Sequence, residues 1–277
     1  MAYTMLNIVK LDTLDTLHSL KAEYFAQTHA PLDGMWHFGF VPMSQHYAFY
    51  ESDVLVGFCC VNSDGYLLQY YLSPQASTSA SDLFTLIAQQ DSKVIGDVSG
   101  AFVSTCDPSF LSLSLDNAAS SSVNTLLYCG VKQSVNSEEA GIELTLATDD
   151  HLSLYVDFAA QAIGAPKEWL TSYYGNLITR QELFGYWQDG ELVATGERRK
   201  FDEFQTQYAD LGMIVSTQHR GQGIATKVIK ALIANAVAEQ LIPMCSTEKT
   251  NIGAQRAIEK AGLVSKHRLL QVQFETL

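Results

Sequence analysis

The chain has 277 residues, 47% of them hydrophobic and 17% charged, so it holds one large globular domain or two ordinary ones. Its net charge of −13 is unevenly shared: residues 1–137 carry 4 lysines and no arginine against 12 carboxylates, and residues 138–277 carry 13 basic against 18 acidic side chains. Such a surface argues against nucleic acid or an anionic membrane as partner, and it is compatible with a cationic substrate or with plain solubility.

Residues 6–11 read as a strand and 14–27 as an amphipathic helix. Residues 46–50 and 55–61 are strands joined across Glu51-Ser52-Asp53, a hairpin by composition. A strand over 66–72 is broken by Ser73-Pro74, and a Ser/Ala-rich loop leads into a helix over 81–90. Residues 94–98 and 101–104 are short and apolar, 108–115 form a short helix, and 123–129 close the first half as a strand. The order then starts again. A strand over 142–146 is followed by Asp149-Asp150 as a helix cap and a helix over 152–163. Pro166 opens another short helix. Residues 183–188 and 191–199 form a hairpin across Asp189-Gly190, the strongest turn signal in the chain. Beyond the stretch 211–238 come a strand over 242–247, a helix over 252–261 and a last strand over 269–274.

The repeated order reads as two copies of one fold joined by a Ser-, Asn- and Glu-rich linker at 132–141. The alternative is a single copy behind an unrelated N-terminal half. Cys59, Cys60, Cys106, Cys129 and Cys245 form no CxxC pair and read as reduced, mostly buried thiols of a cytoplasmic protein. The histidines show no metal-ligand cluster. No apolar run reaches the ~20 residues of a membrane span, and the N-terminus lacks the pattern of a signal peptide.

Residues 211–238, LGMIVSTQHRGQGIATKVIKALIANAVA, carry the clearest local signal. Leu211, Met213, Ile214 and Val215 form an apolar run that suits a buried strand. A polar loop follows, closed by Gly221 and Gly223. From Thr226 the pairs Val228/Ile229, Leu232/Ile233 and Ala236/Val237 mark one face of a helix. In a strand–loop–helix unit the loop N–H groups and the helix N-terminus point at one spot, which attracts phosphate. The glycines let a ligand approach the backbone. The loop has neither the Lys-Ser/Thr of a P-loop nor the third glycine of a dinucleotide fingerprint.

Gln218-His219-Arg220-Gly221-Gln222-Gly223, followed by Ile224-Ala225, resembles the Gln/Arg-x-x-Gly-x-Gly/Ala pyrophosphate loop of the GNAT superfamily of acyl-CoA-dependent N-acyltransferases. Asn251, Ala254 and Ala261-Gly262-Leu263 are similar to that family's Asn-x-x-Ala helix and its ending. The resemblance implies an α/β (α+β) fold: tandem acyl-CoA N-acyltransferase-like domains, each a mixed, mostly antiparallel sheet flanked by helices. A degenerate copy over 1–135 would lack the cofactor loop, having Pro74 to Ala80 without a glycine in its place. An acyl-CoA-binding domain would cover 138–277.

The resemblance further implies transfer of an acetyl or other short acyl group from acetyl-CoA to a small-molecule or peptide amine, by a monomer or homodimer. Residues Arg220 to Ala225 would hold the pyrophosphate, with Arg220 or Lys227 reaching phosphate. Met213 and Val215 would pair with the pantetheine arm, a backbone N–H near Ile214 would serve the oxyanion, and Asn251 would lie on the CoA side. A free alkylamine is mostly protonated at neutral pH (a Lys-like pKa is ~10.4), so a base is useful. Glu197, Asp210 and Glu248 are the candidates by position, with Glu197 ranked first, and each is also readable as a surface carboxylate. Many family members have a tyrosine seven residues after the asparagine to protonate the leaving sulfur. Here Ile258 stands there, on an apolar helix face, and Tyr173, Tyr174, Tyr186 and Tyr208 are the substitutes. The departure leaves a second reading open, an acyl-CoA-binding sensor or regulatory module without turnover.

Overall fold

The computed structural model describes residues 6–131 and 141–275. The chain forms two compact units. The first runs to Thr125 and resumes at His267; the second is Leu126–Lys266. The sequence-based linker at 132–141 lies outside the described residues but for Gly141.

In the first unit β1 (Leu6–Leu11), β2 (Gln45–Glu51), β3 (Val54–Val61) and β4 (Tyr66–Leu72) follow one another antiparallel, and β5 (Gly100–Ser104) runs parallel to β4. The β2–β3 hairpin turns at Ser52 and Asp53 with φ of 45° and 67°, the left-handed pair that a two-residue hairpin needs. Helices α1 (His18–Gln27), α2 (Ala80–Ala88) and α3 (Pro108–Asp116) complete the unit. Ser79 caps α2 through Asp82 N–H, and Asp107 caps α3 through Phe110 N–H, the side-chain acceptors that helix N-termini favour. Residues 94–98 form no strand. Val98 nonetheless packs in the core with Phe84, Ile87 and Ala101, so apolar content there serves packing and not pairing.

The strand β6 (Ala118–Val131) passes into the second unit. There the strand order is β6, β11 (Ile242–Glu248), β10 (Tyr208–Val215), β9 (Glu191–Lys200), β8 (Leu183–Gln188) and β7 (Thr145–Leu146). The β8–β9 turn has Asp189 and Gly190 at φ 48° and 82°, as the sequence predicts. Helices α4 (Leu152–Ile163) and α5 (Lys167–Thr179) share a core with Leu183 and Leu192. Helices α6 (Ile224–Ala238) and α7 (Ile252–Lys260) share another with Leu211 and Cys245. Val228, Ile229, Leu232 and Ile233 of α6 are fully buried, worth roughly 1.5–3 kcal/mol each.

The structure corrects several expectations. The strand expected over 142–146 pairs only at Thr145–Leu146. Asp149 and Asp150 sit in a 3-10 turn and make no side-chain cap. The helix after Pro166 is 13 residues long. The last strand, β12, is twice the expected length, Leu263–Phe274. Its C-terminal half pairs antiparallel with β5, Leu269 with Ser104 through Gln273 with Gly100. Residues from His267 therefore complete the first unit and do not end the second. Val272 and Phe274 are buried in the first unit's core, and Thr105 and Arg268 exchange hydrogen bonds of 2.9 and 3.0 Å. Burying those side chains favours this pairing over a free terminal strand.

Candidate active site

Strands β10 and β11 run parallel only from Tyr208/Ile242 to Leu211/Cys245. Beyond that point β10 keeps its pairing with β9 through Val215 while β11 diverges. Ser216 N–H donates to Val193 O at 3.0 Å. By the two-residue alternation of an antiparallel ladder, Ile214 also faces β9, and Met213 and Val215 present their N–H and C=O groups to the diverging side. Of the N–H groups near Ile214, its own is therefore turned toward β9. The free edge belongs to Met213 and Val215.

This edge opens on a cavity of about 830 Å³. Its wall includes Met213, Ile214, Val215, His219, Arg220, Gly221, Gly223, Ile224, Ala225 and Asn251, ten of the twelve residues expected to hold the cofactor. Gln218 and Gln222 do not line it. Gln222 Nε2 donates to Gln218 O at 3.4 Å and braces the loop. Gly221 and Gly223 have φ of 80° and 81° with open space where a Cβ would stand, so side chains there would be strained and would project into the site. Gly223 leads into α6, and no side chain caps that helix. The first-turn N–H groups thus keep their affinity for an anion.

Arg220 is spoken for. Its Nη2 donates to Ala162 O at 2.8 Å and its Nε to Val215 O at 3.3 Å, so it ties the loop to the end of α4. Lys227 is not on the cavity wall, whereas Arg256 and Lys260 of α7 are. Asn251 caps α7 through Ala254 N–H at 3.1 Å, a structural duty that leaves its amide nitrogen available. Ile258 is fully buried in the core beneath α6, which rules it out as anything but packing.

The carboxylates separate sharply. Glu248 is exposed, lines the cavity and accepts from Thr250 Oγ1 at 3.4 Å. Glu197 and Asp210 are 6% and 1% exposed, so neither is a surface carboxylate. Both engage the buried Arg199 guanidinium. Asp210 Oδ2 accepts from Arg199 Nε at 3.0 Å and Nη2 at 2.5 Å. Glu197 Oε2 accepts from Arg199 Nη1 and, at 2.7 Å, from the Tyr173 hydroxyl. Tyr173 in turn accepts from Arg199 Nη1 at 2.8 Å. Burial holds the Tyr173 phenol far above its usual range, so it remains a proton donor. Burial alone would weaken the Arg199 proton, but the Asp210 and Glu197 charges more than offset it and raise its pKa.

This cluster lies at the point of divergence. Gly212 is the register partner of Glu197, and a Cβ on it would stand 3.2 Å from both Glu197 Oε2 and Arg199 Nη1. Glu197 Oε1 makes no hydrogen bond with any described residue and is not among the buried polar atoms shut off without a partner. It stands at Gly212, next to the free strand edge, though Glu197 is not itself on the cavity wall. The importance of Arg199 escaped the sequence reading. The signal was available only as i, i+2 spacing with Glu197 on one strand face; its pairing with Asp210 needs the β9–β10 register.

Two acetyltransferase family models match the chain: an "Acetyltransferase (GNAT) domain" over residues 13–130 and the "Acetyltransferase (GNAT) family" over residues 151–263. A solved GNAT-family acetyltransferase from Colwellia psychrerythraea is 51% identical, with 97% of this chain and 100% of that one covered, at a TM-score of 0.91. The chain belongs to the GNAT acetyltransferase family. Tandem GNAT architecture is shared with a tandem GNAT protein from the clavulanic acid biosynthesis pathway (TM-score 0.63, 14% identity, 98% of each chain). A GCN5-related N-acetyltransferase from Sphaerobacter thermophilus has the same fold (TM-score 0.64, 14% identity, 98% of each chain). No curated protein matches the chain. GNAT enzymes use acetyl-CoA as co-substrate and act on small-molecule or peptide amines. The free edge, the uncapped helix and the glycine loop of this cavity suit that ligand. No helix among the described residues is long and apolar enough to cross a membrane.

Proposed function

We propose that the second unit transfers an acetyl or other short acyl group from acyl-CoA to a primary amine by direct attack. The observation that carries this is one continuous cavity joining the uncapped α6 N-terminus to the unpaired edge of β10. Bound acyl-CoA supplies an activated thioester. Loop N–H groups from Gly221 to Ala225 would hold the diphosphate. The Met213 and Val215 edge would take the pantetheine amides as an added strand, and one of its N–H groups would face the charge developing on the carbonyl oxygen.

Glu197 is the residue best suited to receive the amine's proton. Its Oε1 is open, while Oε2 is anchored by Tyr173 and Arg199. Asp210 has the opposite character, with Oδ2 engaged twice by Arg199, and its place is to hold that guanidinium. Glu248 lies beside Asn251 on the α7 wall, on the cofactor side. The cluster of two carboxylates, one guanidinium and a neutral phenol carries a net negative charge, which favours a cationic acceptor. Ile258 supplies no acid; a thiol with a Cys-like pKa of ~8.5 leaves without one.

Steady-state thiol release from acetyl-CoA with a panel of di- and polyamines, amino sugars and peptides tests the reading. Saturable release with at least one amine, lost in Glu197→Gln without loss of acetyl-CoA binding, is expected. Because Ile258 supplies no acid, a second reading stands beside it, an acyl-CoA sensor. Tight acyl-CoA binding with no release for any amine would select the sensor.

A further inference from the structure

The first unit has a small cavity of its own, about 30 Å³. Trp36 and Phe102 line it and are half-buried; Tyr24, Phe110, Asp33 and Gln69 line it and are buried. The entrance is therefore aromatic and the polar groups lie deeper. Trp36 opens a π-helical turn, Trp36–Phe40, in which Val41 N–H donates to Trp36 O at 2.8 Å. Such turns are rare and are frequent at functional sites. Gln69 is 3% exposed, yet its side-chain amide makes no hydrogen bond with any described residue, and its Oε1 is buried without a partner. A buried amide left unpaired costs stability that an apolar side chain of the same shape would not. Its presence on the wall of a cavity marks a polar ligand.

The other groups on the wall give that ligand a sign. Asp33, also 3% exposed, brings a carboxylate whose Oδ1 accepts from Trp36 N–H at 3.2 Å. Asp107, 6% exposed, adds a second buried carboxylate beside Phe110, whose N–H it accepts at 3.1 Å. The wall has no lysine or arginine, and residues 1–137 hold 4 lysines and no arginine against 12 carboxylates. The local field therefore favours a cation. A primary ammonium has N–H donors for the Gln69 carbonyl and the Asp33 carboxylate, and a charge that aromatic faces attract. Its first carbon suits the aromatic entrance. Water would satisfy the amide but make no use of the rings. We propose that this cavity binds the head group of a small primary amine in its ammonium form. The site belongs to the first unit and does not depend on the acyl-CoA reading of the second.

Methylammonium chloride, small enough for the cavity, is the probe, and the nitrogen-15 NMR spectrum of the labelled full chain is the readout. His37 also lines the cavity, so the titration is run at about pH 8, where an unperturbed imidazole is neutral and an alkylamine is still charged. The Trp36 indole N–H and the Gln69 amide should shift saturably with one common midpoint. Sodium chloride and tetramethylammonium chloride at equal ionic strength should give no saturable shift, since neither cation has an N–H donor. Glu197→Gln should leave the midpoint where it is, which separates this site from the acceptor site of the second unit. Gln69→Met, close to the same shape, should weaken binding about tenfold or more, the worth of a hydrogen bond to a charged group. It should not lower the unfolding temperature of the free protein. The absence of a saturable shift in wild type overturns the proposal, as does an equal response to tetramethylammonium. An unchanged midpoint in Gln69→Met overturns it too. So does a lower unfolding temperature for that variant, because the amide would then be satisfied by the protein itself.

Discussion

The two units contain the same parallel strand pair that separates, and they use the gap in opposite ways. In the first unit β4 and β5 pair only at Tyr66/Gly100 and Leu67/Ala101. The space beyond is filled by Trp36, Phe102 and Phe110, leaving a cavity of about 30 Å³, room for a water or two. Its loop, Ser73 to Ser79, has no glycine, and its N–H groups are already taken. Ser77 and Thr78 donate to the Glu51 carboxylate at 2.9 and 2.7 Å, and Ser79 caps the helix that follows. In the second unit the corresponding loop has two left-handed glycines, an uncapped helix and about 830 Å³ before it. An anion-binding loop loses its ligand when the chain supplies a carboxylate of its own. That difference is why we propose one acyl-CoA site per chain, in the second unit.

The contrast can be broken from either side. The largest effect is expected from Glu197→Gln, which should lower kcat/KM by about 10²–10⁴ if Glu197 is the base. Its acetyl-CoA affinity should be unchanged, measured by steady-state kinetics beside direct titration. An equal fall in cofactor affinity would place the residue in binding instead. Arg199→Met comes next. It leaves two buried carboxylates without their cation, and breaking a buried pair costs about 3–5 kcal/mol. Denaturant unfolding reads this directly, and a loss under about 1 kcal/mol would mean that water reaches the cluster freely.

Glu51→Gln probes the first unit and should cost about 1.5–3 kcal/mol at neutral pH, the worth of hydrogen bonds to a charged group. Hydrogen bonds from the Thr78 side chain and the Ser77 backbone hold the Glu51 pKa below its ordinary value. A depressed folded-state pKa gives stability that is full above the unfolded value of ~4.3 and is lost as pH falls through the folded one. The gap between wild type and Glu51→Gln should therefore hold at neutral pH and close in acid. A gap independent of pH would contradict this account of the loop. The smallest stability effect is expected from Ile258→Tyr, about 1–3 kcal/mol of overpacking in a filled core. Restoring the family's usual residue there should not raise turnover, since the side chain points into packing and not into the cavity.

Much of this was legible in the chain because the signals are local. The glycine loop, the α6 periodicity and the turn at Asp189-Gly190 need only neighbours in sequence, and each stands where it was expected. What was hidden depends on partners far away. Glu51 meets its loop across 26 residues. Arg199 meets Asp210 only through strand register, so Glu197 and Asp210 read as surface charges when they are buried. Arg256 and Lys260 carry no signal in the sequence, and only the cavity wall brings them forward. The second half of β12 is an apolar alternating segment that suits either unit's sheet. Its place was decided by the edge open to it at β5.

The most direct test of a single acyl-CoA site is thermal unfolding with and without acetyl-CoA for wild type, Gly221→Glu and Glu51→Gln. At one hundred times its dissociation constant the ligand should stabilise wild type by ~2.7 kcal/mol. Glu51→Gln should gain the same increment from its own lower baseline, and Gly221→Glu should gain none. If Gly221→Glu gains as much as wild type, or if wild type gains nothing, the second unit's loop is not the acyl-CoA site and the account fails.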